Sequence, residues 1–167
     1  MLNRLLIAFV LVGALSGPAQ AQEEDALFTY KTLSLSTALE LAQGALGECR
    51  KGGFQVAVAI VDRGGNLLVV LRDRFAGPHT PEASRRKAWT AVSFRTNTQE
   101  LAELTQPGEL ASGTRDIPGA LMLGGGVHVT ASGAIVGGVG VSGAPGGDLD
   151  EACAQAGIET VIDKLEF

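Results

Sequence analysis

Phe54-Gln-Val-Ala-Val-Ala-Ile-Val-Asp-Arg-Gly-Gly-Asn-Leu-Leu-Val-Val-Leu-Arg72 is the stretch on which the fold turns. Phe54 to Val61 is rich in β-branched residues and apolar almost throughout, as a strand covered on at least one face must be. Asp62 to Asn66 then offers Gly and Asn, which tolerate the positive φ of a tight turn, and Leu67 to Arg72 reads as a second strand. A connection this short returns the chain antiparallel to itself, so the first sheet unit is a hairpin.

Helical patterns lie on both sides of it. Upstream, Ser34 or Ser36 can cap a helix running to about Lys51, with Leu35, Leu39, Ala42, Leu46 and Cys49 on one face and Gly52-Gly53 ending it. Downstream, residues 73 to 80 form a loop. Pro81 and Glu82 open a helix over 81–95, whose Ala83, Lys87, Ala88, Ala91 and Val92 give it a small face for close approach. Thr98 to Leu104 predicts a short helix capped by Thr98, and 105–120 a long loop of the kind that carries function. Leu121-Met122, Val127 to Thr130 and Ala134 to Val141 read as strands, the last two joined by a turn at Ala131-Ser132-Gly133. A helix from about Leu149 to Lys164 closes the chain, with Ala152, Ala156, Ile158, Val161 and Ile162 facing inward. The order helix, hairpin, helix, hairpin, helix specifies an α+β fold, an antiparallel sheet flanked by helices, and excludes a nucleotide-binding parallel sheet.

Composition narrows the class. The 167 residues are 46% hydrophobic, 19% charged and 5% aromatic, with a net charge of −5. That balance, without a Lys/Arg run, opposes the phosphate-neutralising surface of a nucleic-acid binder. Residues 1–21 have the form of a cleaved secretory signal: Arg4 as the basic start, Leu5 to Leu15 as the apolar stretch, and Ala19-Gln20-Ala21 as the cleavage site. The apolar stretch is too short for a bilayer span. Cleavage after Ala21 leaves residues 22–167 as a single periplasmic or secreted domain, with 12 basic side chains against 18 acidic. In such a compartment Cys49 and Cys153 can form one bridge, or stay as two buried thiols; sequence does not choose between them.

Ten glycines crowd residues 124–147. Glycine inside a strand, as in Gly137-Gly138-Val139-Gly140, implies that something approaches the sheet closely: a ligand, another subunit, or a helix of the same chain. Gly143-Ala-Pro-Gly-Gly-Asp148 before a helix has the outline of an anion site, but Asp148, Asp150 and Glu151 fill that first turn with like charge. The two histidines match no zinc spacing. His79 sits in the rigid turn Ala76-Gly-Pro-His-Thr-Pro81, while His128 alternates with Val127 and Val129 and so points to the opposite face from them. Arg85-Arg86-Lys87 reads as a basic patch on a solvated helix face, and Arg115-Asp116 as a local ion pair. No nucleophile elbow, ordered Ser/His/Asp set or HExxH is present.

Val58-Ala-Ile-Val-Asp-Arg-Gly-Gly-Asn-Leu67, Lys87-Ala-Trp-Thr-Ala91, Gly124-Gly-Gly-Val127 and Val136-Gly-Gly-Val-Gly-Val-Ser-Gly-Ala-Pro145, followed by Asp148-Leu-Asp-Glu-Ala-Cys-Ala154, resemble the GlcG/HbpS-like haem-binding (haem-degrading domain) family, to which the PduO C-terminal domain is related. The match covers nearly all of residues 30–165, with the four blocks in the family's order. The resemblance implies profilin-like layers, haem as cofactor, a homo-oligomer that is often an octamer, and haem or iron handling or redox sensing through a sensor protein. Two departures stand out. This chain has Arg72-Asp73-Arg74 where the family commonly has Arg-Met-Asp, and His128 where it commonly has Pro. A methionine sulfur is lost and an imidazole gained.

The residues expected to hold haem are therefore His79 first and His128 second as iron ligands, with Thr114 and Lys87 as further contacts, in a site between the glycine-rich sheet and the 81–95 helix. With so few aromatic residues, such a pocket would be lined by aliphatic side chains or shared between subunits. A different class of function, a binding module or enzyme for a small oxidised carboxylate, would use Arg115 and Asp116 of the long loop. Tight packing between subunits would account for the glycines in a purely structural oligomer.

Overall fold

The computed structural model describes residues 26–166; the expected leader 1–21 lies outside them. Helix α1 (Leu35–Lys51) begins where the Ser34 hydroxyl accepts the Thr37 N–H, and it ends at Gly52 and Gly53, the latter at φ +78°. Arg50 and Lys51 place positive charge in its last turn, where the helix dipole favours it. Strands β1 (Ala57–Asp62) and β2 (Leu67–Arg72) form the expected hairpin. In its turn the Asp62 carboxylate accepts the Asn66 N–H at 2.8 Å, and Gly65 takes φ +82°. Helix α2 (Thr80–Phe94) and short helix α3 (Thr98–Leu104) follow, then a 3-10 turn at Ser112–Asp116. Strands β3 (Gly126–Ala131) and β4 (Ala134–Ser142) are joined through Ser132 and Gly133. Both have positive φ, the two-residue turn that matches strand twist. Helices α4 (Gly147–Glu159) and α5 (Ile162–Leu165) complete the chain.

The four strands form one antiparallel sheet in the order β2-β1-β4-β3. Its two faces differ in chemistry. On one, Val58, Ile60, Val127, Val129, Val139 and Val141 pack against α1 and α4, which also pack on each other. Cys49 of α1 and Cys153 of α4 are disulfide-bonded there, with Cα atoms 5.4 Å apart, which decides the question the sequence left open. On the other face the register aligns Ala59, Gly140 and Gly126 across three strands, with Val61, Gly138 and His128 in the next row. Helix α2 lies in that trough. A β-carbon on Gly138 would come 2.9 Å from the Ala88 carbonyl oxygen, and one on Gly140 would come 2.7 Å from the Ala88 nitrogen and closer still to the Ser84 carbonyl. The close neighbour implied by the strand glycines is thus a helix of the same chain.

Several expectations need correction. Leu35 and Leu39 of α1 are 63% and 41% exposed; the inward stripe is Ala38, Leu41, Ala42, Ala45, Leu46 and Cys49. Close approach of α4 favours the small residues, since a β-carbon on Gly157 would sit 2.7 Å from that of Ala45. The closing helix starts earlier than expected, at Gly147, and breaks at Thr160, whose hydroxyl bonds the Gly157 carbonyl. Its inward residues are Asp150, Cys153, Ala154 and Gly157, while Ala152 is exposed. Leu121-Met122 is not a strand, because the Leu121 N–H is taken by the Thr90 hydroxyl at 2.9 Å. Thr98 does not cap α3; Asn97 holds the N-cap position, and the Thr98 hydroxyl instead accepts the Gly126 N–H at 2.7 Å.

Candidate functional site

The turn before α2 is built from local bonds. The Thr80 N–H and hydroxyl both donate to the Gly77 carbonyl, at 3.0 and 2.8 Å, and Pro81, the second helical residue, fixes a helical φ in the first turn. His79 occupies the N-cap position without a side-chain capping bond and is exposed. Its ring lies over Gly77, where a β-carbon would come 2.7 Å from Cε1, so glycine there makes room for the imidazole. Across from it runs the loop 142–147 between β4 and α4. A cleft of about 380 Å3 lies between the two walls, lined by His79, Thr80, Lys87, Leu123, that loop and Asp150.

Lys87 and Asp150 form the floor of this cleft. The Lys87 ammonium donates to Asp150 Oδ2 at 2.7 Å and to the Val141 carbonyl at 2.9 Å, with side chains only 1% and 5% exposed. Asp150 Oδ1 accepts the Ala144 N–H at 2.9 Å. Burial pushes the Lys87 ammonium below its ordinary value and the Asp150 carboxyl above its own, while each partner's charge pulls the other way. The pair ties the middle of α2 to the end of β4 and the first turn of α4. It also occupies the loop N–H that an anion in the 143–148 segment would need, so that segment serves the protein's own carboxylate.

The structure brings two of the four expected haem contacts together. His79 lines the rim of the cleft and Lys87 its floor. His128 stands elsewhere, on β3, half-buried, with a buried Nδ1 that has no hydrogen-bond partner. Thr114 lies in the 3-10 turn, its hydroxyl donating to the Ala111 carbonyl at 2.7 Å. A haem between the glycine-rich sheet and α2 is ruled out by packing, because helix backbone fills that space. The basic patch on α2 divides: Arg85 pairs with Glu82 at 2.7 Å, Arg86 bonds the Gly119 and Ala120 carbonyls, and Lys87 is buried instead of solvated. Arg115 does not pair with Asp116; its guanidinium holds the long loop against α3 through the Thr105 and Ala102 carbonyls.

Sequence reasoning missed Asp150 as the partner of Lys87. One signal was available: Lys87 stands three residues after Ser84 and four before Ala91, on the stripe that α2 buries. Among the described residues no group of three His, Cys, Asp or Glu could hold a bare metal ion.

Comparison with known proteins places this geometry among relatives. The family model described as haem degrading protein HbpS-like matches residues 33–159. A crystal structure of a double mutant of HbpS from Streptomyces reticuli superposes with a TM-score of 0.77 at 46% identity, covering 83% of this chain and 93% of that one. A crystal structure of a PduOC–haem complex superposes with a TM-score of 0.72 at 30% identity, covering 77% of this chain and 94% of that one. Protein GlcG of Escherichia coli is 35% identical over 114 residues, 68% of this chain and 84% of that protein.

Proposed function

We propose a function from one premise: the chain belongs to the HbpS-like family of haem degrading proteins. The protein binds haem, and the observation that carries this reading is the similarity, over 77% of the chain, to a domain solved as its haem complex. The cleft beside α2 is the site in this chain that fits the group. It presents an exposed imidazole, His79, beside glycine, alanine and proline walls and the half-exposed Leu123, so a flat apolar ring can approach without meeting bulky side chains. Haem supplies the iron chemistry when bound. The chain supplies a nitrogen donor at His79 and apolar contact at Leu123, Ala144 and Pro145, over a floor held rigid by Lys87 and Asp150.

A volume of about 380 Å3 is near the lower end for small-molecule sites. One copy therefore covers part of a macrocycle, and a second copy completes the enclosure in a homo-oligomer. Exposed Leu110 and Ile117 on the 105–120 loop supply apolar surface for that contact. Export after cleavage near Ala21 belongs to the same reading, and the Cys49–Cys153 disulfide suits an oxidising compartment. Within it the protein serves haem or iron handling, or redox sensing through a sensor protein.

Titration of haemin into purified apo-protein tests the reading. A shifted Soret band is expected in the wild type and in His128→Ala, with loss or displacement of that band in His79→Ala. No shift in the wild type overturns haem binding, and an unchanged band in His79→Ala overturns the ligand assignment. Light-scattering mass with and without haem measures the oligomer.

A further inference from the structure

At the opposite end of α2 a second cleft, of about 520 Å3, opens between the two hairpin turns and the end of the helix. It is lined by Arg63 and Gly64 of the first turn, Val92, Ser93 and Arg95 of the helix end, and Gly133, Ala134 and Ile135 of the second turn. Two arginines line it and no acidic residue does, in a chain whose net charge is −5. The Arg63 guanidinium carbon lies 5.2 Å from the Tyr30 ring centroid, a cation–π contact and not an ion pair. Asp62, the carboxylate of the same turn, is engaged with the backbone and side-chain nitrogens of Asn66. Among the described residues no acid pairs with Arg95.

The backbone at Arg95 is the second observation. It has φ +54° and ψ +34° and ends α2, its N–H bonded to the Ala91 carbonyl. Glycine takes this left-handed conformation without penalty and is the usual residue at such a helix end, whereas a long side chain there is strained. Non-glycine residues held this way cluster at ligand clamps and active sites. Here the strain falls on an arginine that borders a cleft without acidic residues, beside a second arginine.

We infer that this cleft binds a small organic dicarboxylate, one carboxylate group on Arg63 and the other on Arg95, with the Ser93 hydroxyl as a further donor. The planar fork of a guanidinium matches a carboxylate through two parallel N–H···O bonds, and two arginines bordering one cleft can take two such groups. The propionates of a haem seated at His79 are not the occupants. His79 precedes the first residue of α2 and Arg95 follows the last, and at about 1.5 Å per residue the helix sets these two residues about 24 Å apart along its axis, beyond the reach of a propionate on a macrocycle bound at His79.

Calorimetric titration of the purified protein with sodium succinate, against sodium chloride at matched ionic strength, tests the inference. Saturable binding of one succinate per chain is expected, weakened at least tenfold in Arg63→Gln and in Arg95→Gln and unchanged in Arg74→Gln, an exposed arginine away from this cleft. Inorganic phosphate is the second probe and is expected to bind more weakly than succinate. Arg95→Gly separates binding from folding: glycine relieves the backbone strain, so its melting temperature should equal or exceed that of the wild type while succinate binding is lost. No saturable heat above the chloride control overturns the inference, as does wild-type affinity in either glutamine variant or in Arg95→Gly. Phosphate binding tighter than succinate overturns the dicarboxylate assignment.

Discussion

Replacing Lys87 by methionine removes the ammonium and keeps most of the apolar stem. Asp150 then remains with its side chain 5% exposed, holding the Ala144 N–H but deprived of the 2.7 Å bond that balances its charge. Breaking a buried pair from one side costs about 3–5 kcal/mol, because the surviving charge is neither solvated nor paired. For a domain of this size about 3–4 °C of melting temperature is lost per kcal/mol, a fall of about 10–20 °C. The pH dependence gives a sharper signature. With the ammonium gone, burial holds the Asp150 carboxyl further above its ordinary value. A carboxyl whose folded pKa exceeds its unfolded one makes the protein most stable below the unfolded value, and stability falls as pH rises through the folded value. Urea unfolding followed by circular dichroism should therefore show the full deficit of Lys87→Met relative to wild type at about pH 7 and a smaller one at about pH 4. Adding Asp150→Asn should recover part of the neutral-pH loss. A deficit below about 1 kcal/mol at neutral pH, or one of equal size at both pH values, refutes the reasoning.

Two further outcomes follow from the packing. Gly140→Ala should destabilise by at least about 1–3 kcal/mol, because its β-carbon has nowhere to go beneath α2. Gly47→Ala, in α1 with nothing within 4 Å of the added carbon, should stabilise by about 0.5–1 kcal/mol; denaturant midpoints measure both, and equal signs contradict the packing described. Cutting the Cys49–Cys153 bond, which spans a sequence separation of 104, by reduction or by Cys153→Ser should cost about 2–5 kcal/mol in the same assay, and an unchanged midpoint would show that the bridge restrains nothing.

What the sequence made legible was local chemistry. Asp62-Arg-Gly-Gly-Asn66 and Ser132-Gly133 specify tight turns by residue type alone, and with them both hairpins and the antiparallel sheet. The strand glycines announced a close neighbour without naming it, since only the three-dimensional register lines Ala59, Gly140 and Gly126 into a trough for α2. The inward face of α4 was misread because it is marked by an aspartate, a cysteine and a glycine, none of which raises a hydrophobic stripe. Lys87 and Asp150 meet across 63 residues, Cys49 and Cys153 across 104, and no local rule reaches so far. The candidate site was half legible. The Gly-Pro-His-Thr-Pro turn displayed His79, whereas the wall facing it and the floor beneath exist only once β4, α2 and α4 are packed together.

Where two layers of a protein meet through side chains, rotamer changes give the contact some slack. At Gly140, helix α2 meets β4 backbone to backbone, through Ser84 and Ala88, and backbone offers no rotamers. A slide or roll of the helix presses there on the strand backbone itself, with no side chain between to yield. The same helix borders both clefts, one from its first turn to Lys87 and the other at its last turn. A ligand that displaced α2 from either cleft would have to part it from β4 at that contact, so binding in either cleft is expected to leave the helix where it lies.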